Sequence, residues 1–328
     1  MPSSLRRLGQ LLLSSNAAAA PTLSSAAPDA APRSMRGPAL GLASAAGIAI
    51  LVGCAGLDVQ QRKWIFQATA VQPDTSSSTD VSATSVPGMD DVWIEHVSAE
   101  SGQRIRLHGL WHRSDDPKAP LLLYLHGARR NVEASAFRIR QMGTLGFSVL
   151  AVDYRGFGRS TDELPSEAAV YEDARAAWDW LGRQHPGHPR YVFGHSLGGA
   201  IAIQLASEQQ DADGLIVEGT FTSIRDMFQS MRWGWLPITP LITQHFDSLA
   251  KIGRVKVPVL VVHGTGDSLV PPALARTLYE HASARKRLVL VEGGSHYSTN
   301  SLGASQYRLA LHDLFGLGDT PGPVGSTD

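Results

Sequence analysis

One stretch limits the folds open to this chain more than any other: Tyr191-Val192-Phe193-Gly194-His195-Ser196-Leu197-Gly198-Gly199-Ala200. An apolar run leads into Gly-x-Ser-x-Gly, and Ala200-Ile201-Ala202-Ile203-Gln204-Leu205-Ala206 continues it with the look of a buried helix. A strand, a sharp turn and a helix therefore follow one another almost without a spacer. So tight a turn holds its serine in a strained backbone conformation. Gly194 and Gly198 let neighbouring elements approach where a Cβ would clash. The helix after Ser196 directs its positive end at the turn, which favours negative charge there. The five-residue pattern also arises by chance in loops, and its setting between strand and helix is what gives it weight.

The rest of the chain repeats that alternation. Residues 92–97 and 104–111 partly alternate apolar and polar, as antiparallel edge strands do. Leu121-Leu122-Leu123-Tyr124-Leu125 is continuously apolar, which predicts a strand covered on both faces. Further strands are expected at 147–152, 191–193, 215–217, 259–262 and 288–291. Helices are expected near 133–143, 167–183, 197–208, 272–282 and 304–315. The alternation predicts an α/β fold: a mostly parallel central sheet with helices on both faces. Residues 219–253 break the rhythm with Trp233, Trp235, Pro237 and Pro240 and read as a short lid. The domain is placed at 91–315, with a disordered tail at 316–328.

The first 54 residues read as a targeting segment. Residues 1–36 hold four arginines and one acid among Ala, Ser and Pro, which suits disorder. Residues 37–57 carry no charge, and the apolar run from Ala39 to Gly53 is compatible in length with a membrane span. Its end, Leu51-Val52-Gly53-Cys54, resembles the lipobox of bacterial lipoproteins. The resemblance implies that Cys54 is lipidated and becomes the first residue of the mature protein. Membrane attachment through a lipid anchor or a signal anchor follows, with the domain exported to the periplasmic or outer-membrane side. The bland alternative is a plain signal sequence in which Cys54 is incidental. Either Met35 is the start, with Arg36 as a short basic region, or the segment starts at Met1 with an unusually long one. Residues 55–90 combine an amphipathic segment at 57–66, able to pack on the domain or lie on a membrane surface, with a Ser/Thr/Pro-rich linker.

Ser196 alone is a poor nucleophile and needs a base, which in turn needs an orienting carboxylate. Val259-Leu260-Val261-Val262-His263-Gly264-Thr265-Gly266-Asp267 is a strand and a Gly-containing turn ending in an acid. Leu288-Val289-Leu290-Val291-Glu292-Gly293-Gly294-Ser295-His296 ends the same way in a histidine. Both lie just past strand ends, where open α/β sheets put their sites. His296 is the expected base and Asp267 the group that orients it. Against this, Asp267 could cap the helix that follows Pro271, and His296 could be an exposed loop histidine. Glu218, which also follows a strand, is the rival acid. The expected oxyanion donors are the backbone N–H groups of Leu197 and, in the loop after Leu125, of Ala128. His126 reads as a structural brace for that loop. Arg129 and Arg130 are either solvated loop charges or a lure for an acidic substrate group.

Taken together, His126-Gly127, the Asp153-to-Ser160 stretch, the Gly-x-Ser-x-Gly turn, His263-Gly264-Thr265-Gly266-Asp267 and Gly294-Ser295-His296 resemble the α/β-hydrolase superfamily. Their spacing is similar to its bacterial serine-aminopeptidase-like and esterase-like branch, over about residues 91–315. The resemblance implies a nucleophile elbow at Ser196 and a serine hydrolase, with Asp153–Ser160 shaping a nearby turn. His296-Tyr297 departs from the family, whose catalytic histidine is commonly followed by small or polar residues; the leaving-group side is where that matters.

The expected activity is cleavage of a carboxylic ester through an acyl-enzyme, on a small-molecule or lipid-like substrate. Peptidase or amidase chemistry uses the same groups, and a catalytically silent binding protein is the third reading. Phe228, Trp233 and Trp235 in the lid favour an apolar acyl group. No cofactor and no metal are expected. A formal charge of -1 over 328 residues supplies no basic surface for nucleic acid, and the single cysteine allows no intrachain disulfide.

Overall fold

The computed structural model describes residues 55–68, 86–231, 234–237 and 239–318. The run ending at Cys54, most of the 67–90 linker, Trp233 and the tail from 319 lie outside the described residues. Eight strands form one sheet: β1 (Asp90–Val97), β2 (Arg104–His112), β3 (Leu121–Leu125), β4 (Ser148–Val152), β5 (Arg190–His195), β6 (Gly214–Glu218), β7 (Val259–Gly264) and β8 (Lys286–Val291). Their order is β1-β2-β4-β3-β5-β6-β7-β8. β1 pairs antiparallel with β2, and β2 antiparallel with β4. From β4 to β8 every pairing is parallel. β2 is therefore an inner strand, where the sequence alone suggested an edge.

Nine helices are described. α1 (55–66) precedes the sheet. The long ones are α2 (Ala136–Thr144), α3 (Glu167–Gln184), α4 (Leu197–Glu208), α7 (Pro272–His281) and α9 (Ala304–Phe315). The short ones are α5 (Ile224–Gln229), α6 (Leu249–Ile252) and α8 (Thr299–Leu302). None is long and apolar enough to cross a membrane.

The period of two along the strands sorts their side chains into two cores. Leu121, Leu123, Leu125, Val192 and Val217 pack with α1, α3, α4 and α7 on one face. Leu122, Tyr124, Phe193 and Ile216 pack with α2 and α9 on the other. α3 starts where Ser166 Oγ accepts the N–H of Ala169, with Glu167 in the first turn, a standard cap and dipole match. α9 stops at Gly316, in a left-handed conformation, and Leu317 N–H returns to Leu311 O. The first residues of the expected tail thus close a helix, and Leu317 packs on the second core.

Helix α1 joins the first core through Ile65 and Phe66. The Phe66 ring meets Phe157 and Phe246 edge-on, at 6.4 and 5.8 Å. The folded unit therefore takes in residues 55–66 as well as the stretch from 91. The order in which strands are added reverses around β3, which has β4 on one side and β5 on the other. A crevice at the carboxyl ends of β3 and β5 follows from that switch, and the loops after these strands carry Ala128 and Ser196.

Candidate active site

Ser196 sits between β5 and α4 with φ 56° and ψ −121°. This conformation costs of order 1–3 kcal/mol for a residue with a Cβ and persists only where its surroundings hold it. They do: Ser196 N–H donates to Glu218 O at 2.9 Å, and Thr220 Oγ1 donates to Ser196 O at 2.8 Å. The two glycines of the motif are demanded by space. A Cβ on Gly198 would lie 2.0 Å from Leu125 O, and one on Gly194 would lie 2.2 Å from Gly198 O. Strand, turn and α4 are packed backbone to backbone, which leaves the half-buried Ser196 hydroxyl facing a cleft.

His296 follows β8 and Asp267 follows β7, the adjacent strand. His296 Nδ1 donates to Asp267 Oδ2 at 2.8 Å, and both residues are buried. The other carboxylate oxygen, Oδ1, accepts the N–H groups of Leu269 and Val270, at 2.9 Å each. Asp267 therefore organises its own turn and does not cap α7, whose N-cap is Pro271. Burial pushes its carboxyl up, but hydrogen bonds from His263, His296 and the Val270 N–H more than offset this and hold it well below the usual range.

Glu218, the rival acid, is engaged elsewhere. Its Oε1 accepts from Arg138 Nη2 at 2.9 Å, and its Oε2 accepts the Tyr307 hydroxyl. All three side chains are buried. Arg138 Nη2 also points at the carbonyls of His296 and Tyr297, at 3.4 and 3.5 Å. His195 donates from Nε2 to His296 O at 2.9 Å. Burial, then Arg138 and His296, drive its pKa far down, so it stays neutral. The His296 segment is thus held from below by a buried ion pair and a neutral imidazole. No periodicity or motif in the sequence announces Arg138 or Tyr307; His195 was in view only as a variable position of the serine motif.

Ser196, His296, Leu197 and Ala128 line one cleft of ≈ 210 Å³, with Asp267 behind His296. Among the described residues no protein group accepts the N–H of Leu197 or Ala128. His126 is fully buried, bonds Gly127 O through Nδ1 at 2.7 Å, and lies 3.3 Å from Asp153, as a brace should. Arg129 is exposed at the cleft with φ 68°, and Arg130 lies over the ring of Tyr297, 4.8 Å from its centre. Tyr297 meets the His296 ring edge-on at 5.2 Å, so the family departure falls on the cleft wall itself. Of the three lid aromatics, Phe228 lines the cleft and Trp233 is outside the described residues; Trp235 is 71% exposed and is not among the lining residues. Two aromatics missed from sequence line the same cleft: Phe221, just after β6, and Trp64, which reaches it from α1.

His96, Glu172 and Asp173 converge closely enough to suggest a cation site. Arg155 already occupies it, with Nη2 2.6 Å from a carboxylate oxygen of each acid. The chemistry of the donor set is that of an ion-pair network.

Residues 116–251 and 241–303 match the family described as serine aminopeptidase, S33. An uncharacterized protein of Mycobacterium tuberculosis is 33% identical over 241 residues, covering 72% of this chain and 80% of its own length. The lysophosphatidylserine lipase ABHD12 of Danio rerio is 30% identical over 196 residues, covering 54% of this chain and 51% of the lipase, about half of each. Among solved structures, the Pyrococcus furiosus esterase Pf2001 superposes with TM-score 0.56 at 20% identity, over 70% of this chain and 93% of the esterase. That likeness speaks to the fold alone. The chain belongs to the serine aminopeptidase, S33, family of the α/β-hydrolase superfamily and is a hydrolase of that fold.

Proposed function

We propose that the protein cleaves carboxylic esters of lipid-like acids through an acyl-enzyme formed on Ser196. The carrying observation is the 2.8 Å bond from His296 Nδ1 to Asp267, in the cleft that also holds strained Ser196 and two unclaimed N–H groups. With Nδ1–H committed to Asp267, Nε2 is left as the basic nitrogen. It takes the Ser196 proton as Oγ attacks the ester carbonyl, and the N–H groups of Leu197 and Ala128 receive the oxyanion. Collapse expels the alcohol, which leaves with the proton from Nε2. Water, deprotonated by the same nitrogen, then releases the acid.

Amide scission needs the same groups, so the choice rests on the cleft walls. A free α-ammonium calls for a carboxylate, and the described lining residues include none; they include Arg129 and Arg130. Apolar walls beside two cations suit an amphiphilic ester with an acidic head, and a lysophospholipid lipase among the relatives supports that class. The test is hydrolysis of p-nitrophenyl esters from acetate to laurate, by wild type and Ser196→Ala. Hydrolysis unchanged by the substitution, or faster turnover of matched aminoacyl amides, would overturn the proposal.

We propose further that Cys54 carries a lipid anchor that places the enzyme at a membrane on the non-cytoplasmic side. Incorporation of a labelled lipid precursor should occur in wild type and vanish in Cys54→Ala; equal labelling contradicts it.

A further inference from the structure

Beside the Ser196 cleft lies a second cavity of ≈ 430 Å³, bounded by α1 and the cap that follows β6. Trp64, Ile65, Ile224, Phe228 and Met231 line both spaces and form their common boundary. Leu57, Leu241 and Ile242 line its far end, where Leu57 and Leu241 also meet solvent. Among the described lining residues the one side-chain amide, that of Gln61, is already spent on the cap: its Nε2 donates to Leu241 O at 2.7 Å, and its Oε1 accepts the Thr243 N–H at 2.9 Å. Among the described lining residues there is no charged side chain to pair with a headgroup. Hydrocarbon is the chemistry it accepts.

The wall is built into the fold. Asp58 Oδ1 accepts from Thr243 Oγ1 at 2.7 Å and from Gln244 Nε2 at 2.8 Å, and Arg62 Nε donates to Pro165 O at 2.8 Å. At the other end of α1, Phe66 O accepts the N–H of Arg129, the residue after Ala128, at 3.1 Å. One helix therefore bridges the cap and the loop of the candidate oxyanion donor. It lies outside the residues that match the family.

From this we infer that α1 is the specificity element of this hydrolase, and that with the cap it forms a distal subsite for the end of a long, single acyl chain. Resting on the Ser196 reading, the inference adds which part of the protein selects chain length. A short acyl group is held in the cleft alone; a long one crosses the Trp64–Ile65 boundary into the second cavity.

The experiment fills the far end in the full-length chain with Leu57→Trp and, separately, Ile242→Trp, neither of which lines the Ser196 cleft. With p-nitrophenyl laurate, kcat/KM should fall roughly tenfold or more, because each methylene kept out of an apolar pocket is worth close to that factor. With the acetate ester, kcat/KM should stay within about twofold, which also certifies the fold. Equal losses on both esters, or full laurate activity in both variants, would overturn the inference. If wild type hydrolyses no ester, the Ser196 reading fails instead. The subsite then stands or falls on binding of a fluorescent dodecanoic acid, which wild type should bind and both variants should not.

Discussion

The floor and the roof of the cleft are held by different means. In the floor, backbone meets backbone: Gly198 against Leu125 O, Ser196 N–H on Glu218 O, Gly266 N–H on Gly294 O at 2.9 Å. Beneath it, Arg138 and Glu218 form an ion pair with almost no contact with water. The roof is made of side chains laid across one another. Trp64 is 55% exposed, and α1 is tied to the cap by Asp58 and Gln61 at the surface. The floor has no room for a Cβ at Gly194 or Gly198, and on the proposed reading it fixes where reacting atoms sit while the roof sets what is admitted. On that reading chemistry and selectivity are separable, and each should break alone.

The largest effect should come from Ser196→Gly. Without the hydroxyl, kcat is expected to fall by roughly 10⁴–10⁶, as when one member of a cooperating set is lost. Glycine also relieves the positive φ, so thermal stability should rise by about 1 kcal/mol despite the lost activity. Calorimetry with a single-turnover assay checks both. A variant that is inactive and less stable would mean that the turn is not strained. Next comes Gly198→Ala, whose methyl needs the space of Leu125 O. Displacing the loop by even about 1 Å should cost on the order of a hundredfold in kcat, on short and long esters alike. Loss confined to long esters would contradict the division into floor and roof.

What the sequence made legible follows the same division. The sheet, the elbow and the turns ending in Asp267 and His296 are local: strand, glycine and functional side chain lie within ten residues of each other. Asp267 and Glu218 both follow strands, and nothing local separates them. The decision comes from Arg138, 80 positions from Glu218, arriving on the other face of the sheet. Helix α1 was visible as an amphipathic segment, yet whether it met the domain or a membrane surface was open. Its partner Thr243 is 182 positions from Gln61, a separation that no spacing rule reaches. Trp235 misled for the converse reason, because an aromatic in a lid need not face the cleft.

The buried pair under the floor gives the third test. Glu218→Gln keeps the shape but leaves Arg138 charged and unpaired, which should destabilise the protein by about 3–5 kcal/mol. The double variant Arg138→Met, Glu218→Leu should recover much of this, since two matched apolar groups leave no orphan charge. Activity should stay low in both, because the Arg138 hold on the His296 carbonyl is weakened or gone. Denaturant melts give the first quantity and esterase rates the second. Full activity in the double variant would reduce the pair to packing.

The smallest effect separates floor from roof by pH. Hydrogen bonds from His263, His296 and the Val270 N–H hold the folded Asp267 carboxyl below its usual range. In the unfolded chain the same group titrates near about 3.9. Above that value both states are ionised and the bonds contribute in full. Below it the unfolded chain binds a proton that the folded one does not, so stability falls as pH drops toward the folded value, by at most about 1.4 kcal/mol per pH unit from this one group. Asn at position 267 has no such proton to exclude. The Asp267→Asn variant, less stable at neutral pH, should therefore lose stability less steeply than wild type between about pH 4 and 2.5. Asp91 and Asp153, also held low, remain in both proteins and cancel in the comparison. Trp64→Ala, a change in the roof, should leave the acid slope as it is in wild type. A roof variant that altered the slope would show the two regions coupled through the Phe66–Arg129 bond, and the separation of chemistry from selectivity would then hold only in part.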